Sequence, residues 1–453
     1  MLEVTLIGFT HIDLGYNHAG CERPCLSLLA SLNPDLQIET MHAAAGLQAR
    51  PLPNLALSMI VKNEAPTITA TLNSMRDHVD YWAILDTGST DGTQELIKQA
   101  MAGIPGELQS SPFRDFAATR NKALKMLHGK AHWVFMVDGD NTVRGTWRLQ
   151  RAAARLGRAC RLVSYPICGC GLQLMWDMGT MAFDSVRVWS STGTGTKQGW
   201  HYMYPIHELA TNEPVGVRQQ VLYKHTTKVR MLAEIKHNKS EVRMRKFDLP
   251  LLERARQQHP LDGRIAFYYA QTLGVLKEYE AAEVAYQARV DLGGYRPETY
   301  IAMLRKAKIQ KRMGKDPTEA CLAADAFDPT RAEALYELAD WHHEHTERKC
   351  DAWDGQCKGL HHVLAFQYAQ EAAAKPREKV MDTLFVEEAV YEYKAKRLMA
   401  YHAWHAEKFL GKADGVLAAG RDAAEALAQK FPHDGRYQTL FAAFGKPMPG
   451  NSV

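Results

Sequence analysis

At 453 residues, 46% apolar and 23% charged, the chain has the composition of a globular protein with room for two or three domains, each with its own core. A net charge of +4 is too small at this length to imply a nucleic-acid partner by itself. No apolar run is long enough to span a bilayer, and "MLEVTLIGFTHIDLGYNHAG" lacks a basic lead, an apolar core and a small-residue cleavage site, so a cytoplasmic protein with no membrane span is expected. The cysteines, Cys21, Cys25, Cys160, Cys168, Cys170, Cys321, Cys350 and Cys357, are scattered through apolar or helical surroundings, a pattern of reduced thiols. Cys168 and Cys170 have no second Cys or His pair at zinc-site spacing.

Residues 1–53 hold a strand-like run, "VTLIGF", a candidate helix, "RPCLSLLASL", and a proline-flanked boundary, "RPLPN"; no function follows from them. From Leu55 short apolar runs alternate with amphipathic stretches: "LALSMIV", "APTITATLNSMRDHV", "YWAILD", "GTQELIKQAMAG" and later "HWVFMVD". Strand alternating with helix predicts an α/β domain, over 54–235, with a mostly parallel, Rossmann-like sheet. Ligand-bearing loops in such sheets follow the carboxyl ends of strands. Three polar clusters stand there: "KNEAP", "DTGSTDGT" and "DGDN". The second leads into a helix and suits a phosphate or ribose, or is a turn capped by Thr90 or Asp91. Past Lys236 strands give way to helices broken by Gly or Asp-Pro, with small and aromatic residues recurring every 34 to 37 positions or so, as in tetratricopeptide pairs. An all-α repeat domain is expected over 236–453, with Tyr268, Tyr269, Tyr279 and Tyr286 as repeat packing.

An Asp-x-Asp triplet arises about once by chance in a chain of this length, so "VDGDN" gains meaning only from its neighbours. The ordered series "SMIVKNE", "LDTGSTDGT", "FRDFAATRNKAL", "WVFMVDGDNTV" resembles the family 2 glycosyltransferases of GT-A fold over about Leu55 to His225. The helical half looks like the extension found behind some of these domains, whereas the first fifty residues depart from the family plan.

The resemblance implies a nucleotide-sugar donor, a UDP-sugar first, and a Mn²⁺ or Mg²⁺ ion that neutralises the departing diphosphate. Asp140 is then the direct metal ligand, with His225 of "VLYKHTT" as a further one and His207 its rival. Asp138 meets the ribose or a metal-bound water, and Gly139 leaves room for the nucleotide. Lys62, Asn63, Glu64 and Asp86 fall at the donor base and ribose, with Asp91 weaker. Arg114, Arg120 and Asn121 are candidates for positioning the nucleotide or its phosphates, Arg114 being alternatively an ion-pair partner near Asp115. Family 2 members typically invert the anomeric centre, which needs a base at the acceptor hydroxyl. Glu208 of "GWHYMYPIHELA" is that candidate, with His207 beside it and Asp184 of "MAFDSVRVW" as competitor. Trp176, Trp189, Trp200, Tyr202 and Tyr204 form either a sugar platform or core.

The acceptor is expected to be macromolecular: a peptide or protein, a glycan, or hydroxylated bases in DNA. For DNA the feature is the basic stretch Lys224 to Arg256, whose interleaved acids also fit a solvated helix face. A catalytically inactive helical-repeat binding protein is the alternative of another class. A nucleotidyltransferase would need a glycine-rich loop with a basic residue near its first strand, and "SMIVKNEAPT" has none.

Overall fold

The computed structural model describes residues 55–128, 130–153, 155, 169–177, 182–191, 199–211, 221–233, 241–348, 355–380, 384–411 and 415–445. The strand, helix and boundary expected within residues 1–53 lie outside this set, as does Cys168. The chain divides into two units, residues 1–240 and 241–453. Among the described residues no helix is long and apolar enough to cross a membrane.

The first unit is built on an eight-stranded sheet. Its strands are β1 (Leu55–Val61), β2 (Tyr81–Asp86), β3 (Gly106–Ser110), β4 (Trp133–Met136), β5 (Asn141–Arg144), β6 (Gly169–Asp177), β7 (Ala182–Ser190) and β10 (Val221–Ala233), in the order β3-β2-β1-β4-β7-β6-β10-β5. A small hairpin, β8 (His201–Met203) with β9 (Leu209–Thr211), stands apart from it. β1 to β4 pair in parallel, and antiparallel pairing enters at β4–β7, β6–β7 and β10–β5.

Period-two alternation explains why a nearly continuous apolar run such as "LALSMIV" forms a central strand buried on both faces. Leu55, Leu57, Met59 and Val61 point to one face, where Ile68, Leu72 and Ile97 of the following helices cover them. Ala56 points to the other, with Leu124 and Leu127 from helix Phe116–Met126 and its end. β4 repeats the device: Trp133 and Phe135 join the first layer, Val134 and Met136 the second.

In the second unit, pairs of helices begin at Gly263, Arg296 and Glu333, a repeat of roughly 33 to 37 residues. Tyr286 is buried in their core, and Tyr268, Tyr269 and Tyr279 pack against it, as repeat packing requires. Cys321 is a buried free thiol. Cys357 is disulfide-bonded, which corrects the expectation of reduced thiols throughout: scatter along the sequence does not prevent the fold from bringing one cysteine beside another.

Three helices of this unit, Glu333–Arg348, Gly355–Ala373 and Ala395–Leu410, meet through imidazoles. His342 Nδ1 lies 2.8 Å from His361 Nδ1, His343 Nδ1 3.0 Å from His402 Nε2, and His362 Nδ1 2.8 Å from His402 Nδ1. Each contact pairs one N–H with one lone pair, so added protons set two N–H groups against each other. Burial, then the neighbouring imidazoles, depress His342 to about 4, His362 to about 4 and His402 to about 2. Asp316 opposes the shift at His342 and Lys358 adds to it at His362.

The unfolded chain binds protons below about pH 6.5 that these folded rings refuse, so stability rises with pH across this window. The helical unit is therefore expected to keep its stability above that value and to lose several kcal/mol, in order of magnitude, as pH falls from about 6.5 towards 4. Urea unfolding followed by circular dichroism at pH 7.5 and 5 measures this, and equal midpoints for the helical unit would contradict it.

Candidate functional site

The chain runs outward from β1 to β2 and β3, then returns to place β4 on the other side of β1. At such a reversal the loops beyond the strand ends separate into a crevice. The carboxyl ends of β1, β2 and β4 deliver "KNEAP", "DTGSTDGT" and "DGDN" to this one edge of the sheet.

The first two loops are stitched together. Asn63 is left-handed, with φ of 56°; its N–H donates to Ser89 Oγ at 2.9 Å and its Oδ1 accepts from the Thr90 N–H at 2.8 Å. The Ala65 N–H donates to Asp91 at 3.0 Å, and Asp91 also accepts from the Thr93 N–H at the start of the next helix. Asn63 and Asp91 thus join the two loops at this edge of the sheet, where Lys62 is exposed and Glu64 is partly buried. Asp86 ends β2 with no exposed surface. Its Oδ1 accepts from the N–H groups of Gly88 and Ser89 and from Gln94 Nε2 at 2.9 to 3.0 Å, and Oδ2 is buried without a hydrogen-bond partner. Burial opposes its charge, but the hydrogen bonds from Ser89, Gly88 and Gln94 prevail and hold the carboxyl below the usual range.

The turn after β4 is pinned from outside. The hydroxyls of Thr67 and Thr71 donate to the Gly139 carbonyl at 3.2 and 2.9 Å. A Cβ on Gly139 would stand 2.9 Å from Glu64 Cγ and 3.4 Å from Val61 Cγ1, so this glycine lets the turn pack on the end of β1; the clearance serves the protein's own side chains, where the sequence suggested room for a nucleotide. Asp140 is partly buried in the same turn.

Asp138 meets two arginines: Arg120 donates to Oδ1 at 2.6 Å and Arg187, from β7, to Oδ2 at 3.4 Å. Arg120 also donates through Nε to Glu208 Oε1 at 2.6 Å, lies under Met136 Sδ, and stands 5.4 Å from the centre of the Tyr202 ring. Burial disfavours charge at Asp138, but Arg120 and then Arg187 overcome it and keep the carboxyl below the usual range. Arg120 is likewise held charged by Asp138 and Glu208 against its burial. The guanidinium is thus committed to carboxylates of the protein. Asn121 is committed too: Nδ2 donates to the Tyr202 carbonyl at 2.8 Å and Oδ1 accepts the Tyr202 N–H at 2.7 Å, clamping β8 to helix Phe116–Met126. Asp115 caps that helix by accepting from the Ala118 N–H at 2.7 Å, and Arg114 next to it is exposed.

His207 and Glu208 lie in the loop between β8 and β9, where Tyr204 and His207 adopt left-handed φ values of 72° and 52°. Such values are strained for side-chain-bearing residues and persist where the surroundings enforce them. Here Pro205 accepts the Phe116 N–H and Arg120 holds Glu208.

Not every candidate converges. β10 pairs Ala233 with Asn141, and the β6 register puts His225 about five strand steps, roughly 16 Å, before Ala233, so its backbone is distant from the Asp140 turn. Asp184 pairs with Met175 in the half of β7 that runs towards the Asp138 end of β4. The side chains of Asp184, His225 and Trp176 lie outside the described set. Trp189 and Trp200 stack at 5.4 Å and are buried with Tyr202 in the core layer, which settles them as packing. In the sequence Arg187 stands out only as a neighbour of Asp184, yet a cation in the apolar strand "SVRVW" signals a buried acid. The Tyr202 hydroxyl, buried without a hydrogen-bond partner, gave no signal.

Among the described residues no three His, Cys, Asp or Glu side chains form a ready metal cage. A hard divalent ion on a diphosphate takes most ligands from phosphate and water and asks one or two carboxylates of the protein, so the strand-end acids fit it. Both Asp138 oxygens face arginines, and Asp140 lies partly buried in the same turn.

Residues 57–208 match the family model described as glycosyl transferase family 2. The SPbeta prophage-derived glycosyltransferase SunS of Bacillus subtilis (strain 168) is 29% identical over 121 residues, 26% of this chain and 28% of that protein. A TPR repeat-containing protein of Synechococcus elongatus is 36% identical over 86 residues, 19% of this chain and 20% of that protein. The chain therefore spans less than a third of the length of these curated relatives. Among solved structures, S. aureus TarS 1–349 in complex with UDP-GlcNAc aligns over 86% of this chain and 91% of that one, with 8% identity and a TM-score of 0.32. The mostly parallel sheet, the loops at its strand ends and the family match agree: residues 57–208 form a domain of glycosyl transferase family 2.

Proposed function

We propose that this domain moves a sugar from a nucleotide sugar, a UDP-sugar first, to a hydroxyl or thiol of a macromolecular acceptor, with inversion. The observation that carries the donor is Asp86: a buried carboxylate at a strand end in the crevice, one oxygen saturated by three donors and the other without a partner. A uracil N–H or a ribose hydroxyl satisfies such an oxygen. The glycosyltransferase name of the SunS relative is consistent with this class of reaction.

Lys62, exposed on the β1 loop, offers a cation to the phosphates, and Asp138 lends a fixed carboxylate edge to the ribose side. Mn²⁺ or Mg²⁺ held by Asp140 would supply charge neutralisation of the departing nucleoside diphosphate. Glu208, oriented by Arg120, accepts the acceptor's proton as its oxygen attacks the anomeric carbon on the face opposite the leaving group. Asp184 is the competing base.

The helical unit, read as tetratricopeptide-like, suits an extended peptide or glycan acceptor. Within the basic stretch Arg245 is bound by Glu241 and Glu278, as a solvated helix face would have it. That supports a protein or glycan over DNA. Incubation with UDP-, GDP- and dTDP-sugars and Mn²⁺ is expected to release nucleoside diphosphate from one nucleotide class by slow hydrolysis. Absence of release from all three would contradict the reading.

A further inference from the structure

Glu208 and Asp138 are 70 positions apart in sequence and belong to different elements, yet one side chain joins them. Arg120 Nε reaches Glu208 Oε1 and its terminal nitrogen reaches Asp138 Oδ1, both at 2.6 Å. The planar guanidinium fixes the angle between its donors, so the two carboxylates are fixed in distance and in orientation. The guanidinium is itself held. Helix Phe116–Met126 carries it, Met136 Sδ lies 3.5 Å from its other terminal nitrogen, and the Tyr202 ring faces it. Asn121, the next residue, clamps Tyr202 and thereby the hairpin that bears Glu208. Arg187 supplies a second cation to Asp138, so Arg120 can bind Glu208 without leaving Asp138 under-compensated.

We propose that Arg120 is a positioning residue that holds the acceptor-side carboxylate Glu208 in fixed register with the donor-side carboxylate Asp138, rather than a ligand of the donor phosphates. This rests on the transfer reaction proposed above. It gives the Arg-Asn pair of helix Phe116–Met126 a shared role, in which Arg120 sets the side chain of Glu208 and Asn121 sets the backbone of the strand leading to its loop. A lysine at position 120 keeps charge and burial but has a single nitrogen, which cannot span both carboxylates with defined geometry.

The test compares wild type, Arg120→Lys, Glu208→Gln and the double variant, each checked for native circular dichroism, by donor KM, kcat and hydrogen exchange over residues 201–211. The expected result for Arg120→Lys is a kcat lowered about a hundredfold, a donor KM within about threefold of wild type, and faster exchange in the hairpin. The double variant is expected to be no slower than Glu208→Gln, because residues acting as a unit are not additive. A raised donor KM at unchanged kcat would overturn the proposal and make Arg120 a donor ligand; additive losses would overturn it too. Wild type inactive on every donor would remove the transfer reaction, while unchanged hairpin exchange in Arg120→Lys would independently refute the bridge. Should Arg120→Lys fail to fold, Glu208→Ala decides: it removes the bridge from the other end, and unchanged hairpin exchange there contradicts the proposal.

Discussion

Glu208→Gln is expected to lower kcat by about 10²- to 10⁴-fold while leaving donor KM nearly unchanged. Glutamine keeps the length of the side chain and a neutral oxygen that Arg120 Nε holds more weakly than a carboxylate, but it cannot take up the acceptor's proton. The loss falls on the chemical step, because the acceptor oxygen must shed its proton as it attacks. Single-turnover measurement with a saturating donor separates this from slow product release. A kcat within threefold of wild type would assign the base elsewhere, and Asp184, in the part of β7 that flanks the Asp138 end of β4, becomes the candidate.

Asp140→Ala is expected to cost about a hundredfold or more in turnover and to abolish the response to added Mn²⁺. The turn should survive the substitution, since it is pinned by Thr67 and Thr71 on the Gly139 carbonyl and by the Asn141 N–H on the Asp138 carbonyl at 3.2 Å. The contrast with Asp138 is instructive. Its oxygens are bound to Arg120 and Arg187, and Asp138→Ala would remove the acid that these two buried arginines share, a loss of stability as well as activity. Turnover and metal response are therefore read on Asp140→Ala, with thermal unfolding as the control. Normal Mn²⁺-dependent turnover in that variant would remove Asp140 from the metal site.

Much of this site is written locally in the chain. The alternation of "LALSMIV" and "WVFMV" specifies strands with two apolar faces, and the polar residues at their ends fall at one edge because parallel strands point the same way. Asp86, Asp138 and Asp140 are legible for that reason. What is not legible is which polar atoms are already spent. Arg120 lies 18 positions from Asp138 and 88 from Glu208, and no periodicity carries that information. Asn121 reads as a candidate for positioning the nucleotide, and both its polar atoms pair with the backbone of Tyr202. Asn63 and Asp91, expected at the donor, also join two loops to each other. For His225, the apolar run before it does not tell how far β10 continues, which is to Ala233.

A thermal-shift titration with UDP-, GDP- and dTDP-sugars, with and without Mn²⁺, measures directly whether the loops at the ends of β1, β2 and β4 bind a nucleotide sugar. One nucleotide class is expected to raise the unfolding temperature in a saturable, Mn²⁺-enhanced manner, by about 2.7 kcal/mol of stabilisation at a hundredfold excess over Kd, and Asp86→Ala is expected to remove the shift. No shift with any nucleotide sugar, or an equal shift in Asp86→Ala, would contradict it.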